Sequence, residues 1–196
     1  SENENGVSKS FSVSEYMEAV LADEKGEYSA ALKELVQAAK NYCAAASNYF
    51  LGTTYGVQLG EVTEEMLAAY AHEKSGELPD GVKVLGTRLV LESGTAIRLY
   101  FTAADENVAC GVNGEAVKAV DKTDGGAAVY YVEISDISAQ KLDDFYTITI
   151  GENYTVRYSA LSYVRSAILS EDAAAELKAV AKALYFYNAA ANAYFA

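Results

Sequence analysis

The 196-residue chain holds one histidine, one proline, two cysteines and no tryptophan. Each scarcity narrows what the protein can do. A nucleophile–base site would have to be built on His72, which lies in no recognisable catalytic context and reads as an exposed helix residue. Cys43 and Cys110 have no metal-ligand spacing, and they read as two buried thiols rather than a disulfide. The chain carries no G-x-G-x-x-G and no P-loop, so the phosphate cradles that such loops supply are missing. No apolar run reaches the ~18 residues that a membrane-spanning helix needs, and no basic-then-apolar leader opens the chain. SENENG reads as a disordered start and the chain as part of a larger multidomain protein. Positive charge is also scarce, with 15 Lys and Arg against 28 Asp and Glu and a net charge of -13. A nucleic-acid binder needs a basic footprint, so this balance argues against one.

What the chain has in quantity is apolar and tyrosine-rich sequence: 51% hydrophobic residues and 16 tyrosines. It also carries one phrase twice. Leu32 to Phe50 reads LKELVQAAKNYCAAASNYF, and Leu177 to Phe195 reads LKAVAKALYFYNAAANAYF. The two agree without a gap at nine of nineteen positions. Tyr28, Leu32, Leu35, Ala39, Tyr42, Ala46 and Tyr49 step by three and four. So do Ala173, Leu177, Val180, Leu184, Tyr187, Ala191 and Tyr194. Each set forms an apolar stripe along one helix face. Neither stripe can be buried within its own hairpin, so the two segments are expected to pack on each other. VSKSFSV near the start matches VRYSA before the second copy, which suggests the stub of a strand running into each helix pair.

The expected divisions are a tail and strand stub at 1–12, a helical segment at 13–77, a strand region at 78–159 and a helical hairpin at 160–196. Ser14 can cap a helix to Ala22, Gly26 breaks it, and Gly52 ends the long helix that follows. Thr63 can cap a third helix over Glu64 to Glu73. Leu78-Pro79-Asp80-Gly81 marks the change of period. Beyond it, Leu89 and Leu91, then Ile97, Leu99 and Phe101, then Tyr146, Ile148 and Ile150, then Tyr154, Val156 and Tyr158 alternate with the residues between them. Turn signals separate the runs at Ser93-Gly94, Asn113-Gly114, Gly125-Gly126 and Gly151 to Asn153, and Asn113-Gly114 is a strong hairpin signal. The fold class expected is α+β: an antiparallel immunoglobulin-like β-sandwich with a helical bundle formed by the N- and C-terminal segments. Leu142 to Tyr146 resembles the tyrosine corner of such sandwiches, with the Tyr146 hydroxyl bonded to backbone near Leu142.

The phrases GTRLVLESGTAIRLYFTA, YTITIGENYTVRYSALSYVRSAI and ALYFYNAAANAYF give the chain a resemblance to an uncharacterised module of secreted or wall-associated proteins of Gram-positive gut bacteria. That resemblance implies an extracellular or cell-surface location and assigns no chemistry.

The residues point to no catalytic site, no metal and no cofactor. Asp121-Lys-Thr-Asp124-Gly125-Gly126 lacks the ligand series and the final Glu of a calcium loop and reads as a turn. The adjacent Asp143 and Asp144 fall within the corner motif. The reading is therefore a non-catalytic structural or interaction module whose partner is a surface protein or a glycan. The alternative is a carbohydrate-binding module that uses exposed tyrosines, and a hydrolase comes third. The binding candidates are Tyr55, in the loop after the long helix, and Tyr100, which alternates with Leu99 and Phe101 and should therefore point outward and be exposed.

Overall fold

The computed structural model describes residues 12–91, 94–104, 107–123 and 128–196. The tail, the strand stub, Ser93, the Gly125-Gly126 turn and half of the Asp121–Gly126 segment lie outside the described residues. Among the described residues the fold is α+β, with five α-helices and two antiparallel sheets.

Helix α1 spans Val13–Leu21, and Ser12 rather than Ser14 is its cap. The Ser12 hydroxyl accepts from the Glu15 N–H while the Glu15 carboxylate accepts from the Ser12 N–H, a reciprocal pair that satisfies two end donors. Asp23 then organises the turn: its carboxylate accepts the N–H groups of Lys25, Glu27 and Tyr28 and pairs with Lys33 at 2.9 Å. Helix α1 already ends at Leu21, so Gly26, with φ of 73°, shapes the turn that follows rather than breaking the helix. Helix α2 (Ala30–Leu51) ends at Gly52, which is in the left-handed conformation. Thr63 caps α3, but α3 covers only Glu64–Leu67 before a 3-10 turn at Ala68–Tyr70. The expected continuation to Glu73 fails because Glu73–Ser75 is strand β1, paired with the strand Tyr154–Tyr158 at the far end of the chain. These three exposed polar residues, at a sheet edge, have no apolar alternation that would announce a strand. The sheets thus recruit residues from before the Leu78–Gly81 turn.

The remaining strands are β2 (Lys83–Leu91), β3 (Thr95–Thr102), β4 (Cys110–Val112), β5 (Glu115–Val117), β6 (Val120–Asp121), β7 (Val129–Ile134), β8 (Tyr146–Ile150) and β9 (Tyr154–Tyr158). One sheet runs β1-β9-β8-β4-β5 and the other β2-β3-β7-β6. Ile97, Leu99 and Phe101 from one sheet share a core cluster with Ile148, Ile150 and Val156 from the other. Asn113 and Gly114 have φ of 51° and 84° and join β4 to β5 with Val112 opposite Glu115, the two-residue hairpin expected from their sequence.

Helices α4 (Ala160–Leu169) and α5 (Ala175–Phe195) complete the chain. The long helices α2 and α5 pack on each other, α1 packs on α2, and α4 packs on α5 and β2. The pairing is antiparallel: Tyr49 and Phe50, late in α2, share a cavity with Leu177 and Val180, early in α5. Tyr42 and Tyr187, which hold the same place in the repeated phrase, stack where the helices cross, with centroids 5.8 Å apart and planes 11° from parallel.

Among the described residues, no hydrogen bond joins the Tyr146 hydroxyl to backbone near Leu142, as the tyrosine corner would require. The Leu142 carbonyl accepts instead from the Leu161 N–H at 3.0 Å. Asp143 is drawn to α5: the buried Asn188 donates through Nδ2 to Asp143 Oδ1 at 3.1 Å and to the Ala139 carbonyl at 2.8 Å, and Asn192 donates to Asp143 Oδ2 at 3.3 Å. This amide–carboxylate cluster fastens α5 to the segment leading into β8.

Candidate functional site

The site is built from two surfaces, a helix end and a sheet face. On α2, the residues at 46, 47, 50 and 51 form the helix wall, and Phe50 also borders the small cavity shared with α5. Early in α2 that side is occupied by α1, with Lys40 paired to Glu18 at 2.6 Å. Among the described residues, none closes over it past α1. Phe50 is 57% exposed and Leu51 75%.

The facing surface is the outer side of the β2-β3-β7-β6 sheet. Register sets its residues: Arg88 is opposite Arg98, Gly86 opposite Tyr100, Tyr100 opposite Tyr131 and Arg98 opposite Glu133. Cross-strand partners point to the same side of a sheet, so these side chains form one surface while Ile97, Leu99 and Phe101 fill the core. The Arg88 guanidinium lies 5.4 Å from the Tyr100 ring centroid, Lys122 Nζ lies 5.5 Å from it, and the Arg98 guanidinium lies 4.8 Å from the Tyr131 ring. Arg98 is also ion-paired with Glu133. That hydrogen bond, outweighing burial, holds the Arg98 guanidinium even more firmly protonated than usual. Between helix end and sheet lies an open groove of about 590 Å³, lined by Ala46, Phe50, Leu51, Arg88, Leu89 and Tyr100 among others.

Tyr100 therefore faces outward from the sheet, as its alternation implies, but it is not exposed. Only 9% of it reaches solvent. The cations above it and the Tyr131 ring beside it, with centroids 5.3 Å apart, cover its face. Alternation gives the side of a sheet; it does not give what lies over that side.

Tyr55 is 60% exposed and does not line the groove. Its loop runs back along another face of α2 and is clamped by two asparagines spaced two helical turns apart. Asn48 donates through Nδ2 to the Tyr55 carbonyl at 2.9 Å and accepts the Tyr55 N–H at 2.8 Å. Asn41 does the same for Gln58, at 2.8 and 3.4 Å. Each side-chain amide thus pairs with backbone as a strand neighbour would. The structure does not bring Tyr55 and Tyr100 together. Phe50, Leu51 and Arg88 were missed in the sequence. Phe50 and Leu51 look like the end of a core stripe there, and Arg88 looks like ordinary solvent-facing alternation.

Cys43 and Cys110 are both free, but Cys43 is exposed, so the expectation of two buried thiols holds for Cys110 alone. Burial pushes the Cys110 thiol above its ordinary pKa. His72 is exposed but precedes β1 rather than sitting in a helix, with its ring 5.8 Å from that of Tyr158. Partial burial, with Lys74 and Arg165 nearby, lowers its pKa. Among the described residues, no group of three or more His, Cys, Asp or Glu side chains could hold a metal ion, and no helix is long and apolar enough to cross a membrane. Comparison with protein-family models, curated proteins and solved structures finds no match for this chain.

Proposed function

We propose that the chain is a non-catalytic interaction module of a bacterial cell-surface or secreted protein, and that the groove between α2 and the β2-β3-β7-β6 sheet is its binding surface. The groove carries the reading: about 590 Å³ of open space walled by exposed apolar side chains and a preset cation. That volume falls within the ~300–1,000 Å³ range of ligand sites, and large exposed apolar groups beside polar ones favour contact with a partner. The strand order, with β3 and β7 adjacent in one sheet and β9-β8-β4-β5 in the other, supports the immunoglobulin-like sandwich. The surface location rests on the resemblance of the sequence phrases. Catalysis at neutral pH calls for a tuned base, an activated nucleophile or a metal, and the groove's lining supplies arginine and tyrosine in their place.

The carbohydrate reading keeps one supporting observation, the exposed Tyr55 ring on a clamped loop. Tyr16, Tyr49 and Tyr194 are exposed as well, but among the described residues no ring contact joins Tyr55 to them in the planar row that sugar stacking uses. The test is in two parts. A panel of glycosides, esters, peptides and phosphates should show no turnover, and robust turnover of any of them overturns the reading. Immobilised protein should bind a surface-fraction partner that Leu51→Asp releases and Tyr55→Ala retains. Release by Tyr55→Ala alone transfers the site to the loop.

A further inference from the structure

We propose that the groove takes an acidic peptide segment of a partner protein, with an apolar side chain seated against Phe50 and Leu51 and a carboxylate on Arg88. The proposal rests on the interaction reading above and adds the chemistry of the partner.

Charge carries the argument. In a chain of net charge -13, the outer face of the β2-β3-β7-β6 sheet runs the other way. By register, Lys83, Arg88 and Arg98 share this face, and Lys122 reaches over Tyr100. Among the described strand residues the acid on this face is Glu133, and Arg98 already neutralises it. Arg88 is left over. Among the described residues it forms no ion pair; its guanidinium is held over the Tyr100 ring. Stacking fixes the guanidinium without neutralising it, so its N–H donors stay available to a planar carboxylate. The fixed geometry also lowers the ordering cost of binding.

The apolar wall selects the class of anion. Phe50, Leu51 and Val90 line the same groove as Arg88, and Leu89 and Leu91, which register puts on the core side of β2, border it. A peptide can offer a carboxylate and an apolar side chain a few ångströms apart, whereas an anionic polysaccharide has no large apolar group to seat there. A neutral sugar would leave the Arg88 charge unpaired, and the face of Tyr100 is taken by Arg88 and Lys122. The groove is open to solvent rather than enclosed, which suits a segment of a larger partner.

The experiment is selection from a displayed random-peptide library on the intact protein, with an anionic glycan array run in parallel. The selected peptides should combine Asp or Glu with Phe or Leu. Resynthesised, they should weaken about tenfold or more on Arg88→Glu, and they should weaken as salt rises. Arg88→Gln, which removes the charge and keeps much of the chain packed over Tyr100, serves as the second variant and should also weaken them. No enrichment, enrichment of basic or neutral peptides, or affinity indifferent to both variants overturns the proposal. Binding of anionic glycans in place of peptides also overturns it while leaving the interaction module standing. Turnover in the substrate panel removes the broader reading itself.

Discussion

Cys43 of α2 and Asn188 of α5 hold the same place in the repeated phrase, and they meet opposite surroundings. Cys43 is exposed, while Asn188 is buried against the loop before β8. The contrast extends along both helices. Helix α5 buries Val180, Ala181, Ala183, Leu184, Asn188 and Ala191, whereas α2 buries only Val36, Ala38 and Ala45. Helix α5 lies between α2, α4 and the 3-10 turn at Ala139–Lys141. Helix α2 is the outer member, covered in part by α1 and by the asparagine-clamped loop. One phrase thus yields an anchoring helix in one setting and a presenting helix in the other. Periodicity selects the face that turns inward, and the neighbours decide how much is covered.

The difference can be broken most forcefully at the core. Leu184→Ala should cost about 2–5 kcal/mol, as buried leucine truncations do. Leu32→Ala, at a half-buried position on α2, should cost only about 1 kcal/mol. Urea denaturation of both variants measures the gap, and equal costs would erase the distinction between the helices.

The matched pair Asn188 and Cys43 comes next. Asn188→Ala leaves the Ala139 carbonyl and Asp143 without their donor, and it should cost about 1–3 kcal/mol. Cys43→Ala should stay within about 0.5 kcal/mol of wild type. A thiol reagent should modify Cys43 in the native protein and reach Cys110 only on unfolding. Early modification of Cys110, or a costly Cys43→Ala, would contradict the burial difference.

The helix crossing supplies a smaller effect. A double-mutant cycle on Tyr42 and Tyr187 should return a coupling of about 0.5–1.5 kcal/mol, the usual worth of an aromatic pair beyond its buried area. Additive single variants would mean that the stack contributes nothing of its own.

The most local effect lies at the α1–α2 turn. The Tyr28 N–H and the Lys33 ammonium, foremost among its donors, hold the Asp23 carboxyl well below its ordinary pKa. A depressed folded-state pKa gives stability that is present above the unfolded value of about 4 and is lost as pH falls through the folded one. The gap in Tm between wild type and Asp23→Asn should therefore be full at neutral pH and close in acid below about pH 4. A gap that persists unchanged into strong acid would show that the carboxylate's charge does not matter.

Much of the scaffold was legible in the residues. The helix stripes, the Gly52 stop, the Asn113-Gly114 hairpin and the β3, β8 and β9 alternations are local signals, and local backbone preference wins where no distant group competes. Apart from the local shift of the α1 cap from Ser14 to Ser12, the errors share one physical origin, contacts distant in sequence. Glu73–Ser75 becomes a strand because β9 lies beside it. Asp143 serves α5 rather than a corner because Asn188 arrives from 45 residues away. Tyr100 points to the side expected, yet it is covered because Arg88 comes from β2 and Lys122 from just past β6. The groove was invisible for the same reason: its helix wall and its sheet wall look ordinary apart and gain meaning only when α2 ends beside β2.

Phe50 and Phe195 bring the central claim to one comparison, since they match in the repeat and are almost equally exposed, at 57% and 59%. The groove borders only Phe50. The decisive measurement is equilibrium binding of a peptide selected on the wild-type protein to Phe50→Asp and to Phe195→Asp. The account predicts a loss of about tenfold or more at Phe50 and no change at Phe195. Equal losses at both positions, or a loss at Phe195 alone, would contradict it.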